Sequence, residues 1–80
     1  MARNAPIVDN ARRFPKAIAE GLRAFPQRLR DESTDIVGDV AKVLVRAGQR
    51  AELLAILDGP GLDAARSAII RSVCGCVHVH

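Results

Sequence analysis

The sequence predicts an all-α protein, a small bundle of short helices with an extended Cys/His C-terminal tail. Three observations predict it. Aliphatic residues recur with a helical period through the middle of the chain, at Ile36, Val37, Val40, Val43, Leu44 and Ala47. Helix starts and stops follow one another closely, at Phe14-Pro15, Phe25-Pro26, Ser33-Thr34-Asp35, Gly48 and Asp58-Gly59-Pro60-Gly61. From Val73 to His80 the period changes to two, with Cys74, Cys76, His78 and His80 at alternate positions. Strict alternation with valine reads as an extended strand that puts all four reactive groups on one face.

Residues 1–13 show no clear period and contain Asn4, Pro6 and Asn10, so they read as a flexible basic arm. Phe14-Pro15-Lys16-Ala17-Ile18 is echoed eleven residues later by Phe25-Pro26-Gln27-Arg28-Leu29. Proline is well placed in the first turn of a helix, where its missing N–H is no loss. Each Phe-Pro therefore opens a short helix, one near 15–24 and one near 26–32. Ser33, Thr34 and Asp35 are all good N-caps for a central helix over 35–47. Gly48 stops that helix. Gly38 inside it costs about 1 kcal/mol relative to alanine, which a close helix–helix approach would justify.

A further helix covers Gln49 to Leu57, and Asp58-Gly59-Pro60-Gly61 breaks the chain after it. Asp63 caps a last helix whose apolar edge is Leu62, Ala65, Ile69 and Val73, ending near Ser72 or Val73. The chain divides into the arm 1–13, a helical leader-like body 14–61, a last helix 62–73 and a reactive tail 74–80. Val40, Val43, Leu44, Leu53, Leu57 and Ile69 are the expected core. With two Phe and neither Tyr nor Trp, that core is aliphatic.

Charge is uneven. Residues 1–30 carry seven basic groups against Asp9 and Glu20, a net +5, and residues 31–80 carry five basic against seven acidic, a net −2. A basic end on a mildly acidic body suits an acidic partner. No apolar run is long enough to span a membrane. Arg12-Arg13-Phe14 has no apolar stretch after it, which argues against twin-arginine export. Two cysteines without a secretion signal point to free thiols in the reducing cytoplasm.

The tail carries the chemistry, and two uses of it stand side by side. Thiols and imidazoles are good ligands for copper or zinc, so Cys74, Cys76, His78 and His80 form a candidate metal set. In a straight strand Cys74 and His80 lie roughly 20 Å apart. One ion then requires the tail to curl at Gly75, or two tails to pair in a homo-oligomer. The other use is as a substrate. The chain resembles precursor peptides of ribosomally synthesised, post-translationally modified natural products, with a long helical leader, a Gly-rich break at Gly59-Pro60-Gly61 and a short core bearing Ser and Cys. The resemblance implies a modifying enzyme as partner, no cofactor in the precursor itself, and modification at Ser67, Ser72, Cys74 and Cys76. It also implies a leader recognition element in Ala51-Glu52-Leu53-Leu54-Ala55-Ile56-Leu57, with Leu53, Leu54, Ile56 and Leu57 facing the enzyme. A core helix explains the same run.

Neither a catalytic triad nor a phosphate-binding glycine loop is present in the sequence, so the chain is not expected to be an enzyme. A helical DNA-binding or protein-interaction module around residues 36–57, with Arg46 and Arg50 toward phosphate, lacks a basic recognition face, which disfavours nucleic acid. In either use of the tail, Cys74, Cys76, His78 and His80 are expected to act outside the bundle.

Overall fold

The computed structural model describes residues 6–76, with the backbone alone for Cys76. Those residues form six helices: α1 (Pro6–Arg13), α2 (Pro15–Ala24), α3 (Gln27–Arg30), α4 (Thr34–Arg46), α5 (Arg50–Asp58) and α6 (Ala64–Cys76). They contain no strand. The all-α bundle read from the sequence is the fold.

Helix α4 is the hub and packs most extensively on α6 and α1. Its start is set by Ser33, whose Oγ accepts from the Ile36 amide at 3.3 Å. Val37, Val40, Ala41 and Leu44 are fully buried along one stripe, while Ile36 and Val43 flank it half-buried. The helix ends in a paired cap: the Gln49 amide donates to the Leu44 carbonyl at 2.8 Å and the Gly48 amide to Val45 at 3.1 Å. That geometry requires Gly48 at φ 84°, a left-handed conformation that glycine adopts without strain. At Gly38 an added Cβ would sit 3.6 Å from Ile69 Cγ2, an ordinary contact. The two glycines of this helix should therefore respond oppositely to alanine in chemical denaturation. Gly48→Ala should cost about 1 kcal/mol, and Gly38→Ala should stabilise by up to about 1 kcal/mol.

The basic arm is corrected by the structure. Residues 6–13 are helix α1, opened by Pro6, with Ile7, Val8 and Ala11 buried against the core. Eight residues are too few to display a period, yet one face of two turns suffices to bury three aliphatic side chains. Both Phe-Pro echoes open helices, although the second is a single turn, Gln27–Arg30, that buries Leu29. Phe14 and Phe25 flank α2 with nearly the same backbone, φ −133° and ψ 62° for the first, φ −133° and ψ 72° for the second. Each is held out of the helical region by the proline that follows it.

Helix α6 extends further than the alternating pattern indicates. It runs to Cys76, so the boundary at 73 and the strand reading fail for residues 73–76. Ile70 and Cys74, four residues apart, are both buried, and Ile69 and Val73 are packed beside them. A cysteine behaves as a small apolar residue, and the helical stripe it completes outweighs the β-branched alternation. Asp63 caps the start as expected, its carboxylate accepting from the Arg66 amide at 3.2 Å.

Three contacts give the direction of α6. Arg66 reaches the Leu29 and Glu32 carbonyls just before α4, Ile69 lies at Gly38, and the Cys74 carbonyl accepts from Arg50 at the start of α5. Helices α4 and α6 therefore run side by side in the same sense, and α5, which connects them in sequence, packs mainly on α2 and α6. The turn at Gly59-Pro60-Gly61 lies against the α2–α3 corner, so closely that a Cβ on Gly61 would fall 2.9 Å from Pro26 Cγ.

Candidate functional site

The end of α6 brings together the only cysteines and most of the candidate modification sites. Cys74 is 2 % exposed and belongs to the core, which corrects the expectation that it acts outside the bundle. Desolvation pushes its thiol above the ordinary value of 9.0, against the pull of the nearby Arg50 charge. Buried at the end of α6, this thiol is out of reach of a metal ion or an electrophile while the helix stays packed. Its carbonyl is held by Arg50 Nε at 3.2 Å, which satisfies an acceptor of the last helical turn. The candidate ligand set Cys74, Cys76, His78 and His80 thus loses its first member in this fold. Cys76 occupies the last position of α6, and His78 and His80 lie outside the described residues.

Ser72 is exposed on α6, two residues before Cys74, whereas Ser67 is half-buried with its amide in the helical ladder from Asp63. Ser72 lies in an open groove of about 710 Å³ between α4 and α6, bordered by Asp35, Gly38, Asp39, Lys42, Ile69 and Val73 among others. Ser72 is accessible to a modifying reagent, and Ser67 is largely screened.

The recognition run on α5 is corrected as well. Leu53 and Ile56 are buried and Leu57 is partly so, leaving Leu54 at 37 % exposure as the one large side chain that faces out. The simpler reading of a core helix holds. Arg50, one of two arginines expected near phosphate in a DNA-binding arrangement, is turned inward onto Cys74. Among the described residues no three His, Cys, Asp or Glu side chains converge as a metal-holding group, and no helix is long and apolar enough to cross a membrane.

Two arginines hold the ends of α6, Arg50 at its end and, at its start, Arg66, which the sequence did not single out. Arg66 donates from Nε to the Leu29 and Glu32 carbonyls, each at 3.1 Å, and from Nη2 to Glu32 at 2.6 Å. It also pairs with Asp63 at 3.3 Å. One guanidinium thereby satisfies the carbonyls that close α3 and ties that corner to α6. Nothing in the local pattern distinguishes Arg66 or Arg50 from the other arginines, because their partners lie 24 to 37 residues away.

Asp63 has a titration consequence. Desolvation pushes its carboxyl upward, but hydrogen bonds from the Arg66 amide and its own amide, with the Arg66 charge, outweigh this and hold it below the ordinary value of 3.8. On acidification the unfolded chain then takes up this proton first. The stabilisation is complete above the unfolded value and is lost as pH falls through the folded one. A urea titration should show the midpoint declining below about pH 4, and Asp63→Asn should flatten that part of the decline.

The exposed surface is distinctive in one further respect. Phe14 and Phe25, the only aromatic residues of the chain, are 60 % and 56 % exposed. The aliphatic core expected from the sequence excludes both. Comparison of the chain with protein-family models, curated proteins and solved structures gives no match.

Proposed function

We propose that the chain is a precursor, a substrate rather than an enzyme. A modifying enzyme holds its folded helical body and acts on its C-terminal Ser/Cys/His segment. The observation that carries the reading is positional. Every cysteine and histidine of the chain lies in the last seven residues, and Cys74, a core side chain, is followed at alternate positions by Cys76, His78 and His80.

The fold narrows the chemistry within this reading. Ser72 and Cys76 are four positions apart on α6, which places them on one helical face. Loss of water from Ser72, followed by addition of the thiolate at position 76, fits that spacing. Cys74 and Ser67 react only if α6 unwinds. A cut at Gly59-Pro60-Gly61 would detach α6, with the core residues Ile70 and Cys74, from the rest of the bundle. Release of a product that carries the Ser72–Cys76 crosslink requires a cut before Ser72, within α6, so that helix must unwind first. Free thiols suit a reducing compartment, the cytoplasm.

The alternate spacing of Cys76, His78 and His80 supports a second reading, a small copper- or zinc-binding protein with these three as donors. Intact mass of the protein from its native producer, under denaturing and non-denaturing conditions, separates the two. A loss of water, hydrogen or C-terminal residues supports the precursor. An unmodified chain carrying copper or zinc supports the metal reading, and an unmodified chain with no metal overturns both.

A further inference from the structure

Two surfaces of this molecule complement each other. The first is the pair of Phe-Pro corners on α2. Eleven residues are about three helical turns, so Phe14 and Phe25 leave the same side of α2 about 16 Å apart. Each ring is more than half exposed and has cations close in sequence, Arg12, Arg13 and Lys16 around Phe14, Arg23, Arg28 and Arg30 around Phe25. Among the described residues only two of these six have an ion-pair partner, Arg13 with Asp9 and Arg23 with Glu52.

The second surface is the groove between α4 and α6. Gly38, Ile69 and Val73 give it an apolar floor, partly open because Gly38 has no side chain. Asp35 and Asp39 stand exposed at its rim with Lys42 beside them, so the rim is net negative. The chain as a whole is divided in the same way. Residues 6–30 carry six basic against two acidic side chains, and residues 31–76 carry five basic against seven acidic.

We propose that the protein associates head to tail with further copies of itself. A Phe-Pro corner of one copy seats its ring in the α4–α6 groove of the next, and the flanking cations face Asp35 and Asp39. An aromatic ring with adjacent cations is the usual composition of an interface anchor, and an apolar floor with an acidic rim is its complement. Because ring and groove are different patches, the contact is heterologous, and it extends into open chains unless a rotation closes it. The proposal concerns the unmodified chain, because Ser72 lines the same groove.

Sedimentation equilibrium of the full chain tests it with three proteins. Wild type should show an average mass that climbs continuously with concentration and falls at high salt. Phe14→Ser/Phe25→Ser keeps the groove but lacks the rings, and Asp35→Lys/Asp39→Lys keeps the rings but reverses the rim. Each should be monomeric alone, and the two mixed should recombine into a complex of defined size that does not grow into chains. All four positions are exposed, so circular dichroism should match wild type. Asp35→Asn/Asp39→Asn replaces the reversal if that variant unfolds. Three results would overturn the proposal: a wild-type monomer at about 1 mM, association that survives both variants, or variants that fail to recombine on mixing.

Discussion

Leu44→Ala should lower stability by about 2–5 kcal/mol. Leu44 is 0 % exposed in the last turn of α4, the helix on which α1 and α6 pack, so its removal opens a cavity in the core. A chain of this size has about 4–12 kcal/mol in total. At roughly 4–8 °C per kcal/mol the melting midpoint should drop by at least about 8 °C. Leu54→Ala on α5 is the control. Its side chain is 37 % exposed, and the change should stay within about 0.5 kcal/mol. A Leu44 variant that melts with wild type would show that α4 is not the centre of the core.

Two truncations should differ sharply although they are three residues apart. Deleting residues 77–80 leaves all six helices of the described residues intact, and melting should be almost unchanged. Deleting residues 74–80 removes the buried Cys74 side chain and the carbonyl that Arg50 holds. The lost burial and the lost charge-assisted hydrogen bond together should cost about 2–4 kcal/mol. Equal melting of the two truncations would mean that α6 gains nothing from its last turn.

The contrast shows where sequence reasoning reached and where it stopped. Helix α4 was legible because its cap, apolar stripe and terminating glycine agree. The Asp63 cap and the Phe-Pro openers were legible because each is a local device within four residues. Helix α1 was not, since two turns cannot establish a period and its burial depends on α4. The C-terminal half of α6 was hidden by two overlapping patterns. Val73, Val77 and Val79 suggest a strand, while Ile69, Ile70, Val73 and Cys74 complete a helix, and only packing against α4 decides between them. The same competition misplaced Cys74 as a surface group. Leu53 and Ile56 could be read as core or as recognition residues until α5 was seen lying against α2 and α6.

The position of Cys74 gives α6 an internal clock. A small disulfide reagent cannot reach a thiol in the core, so it reacts only during the moments when the end of the helix has come away. When closing outpaces the reaction, the labelling rate divided by that of an unstructured thiol is the fraction of time spent open. In a Cys76→Ser background the signal comes from Cys74 alone, the other cysteine of the chain having been removed. Fraying that is invisible to a melting curve, and that any enzyme working along α6 would have to exploit, becomes a measurable rate.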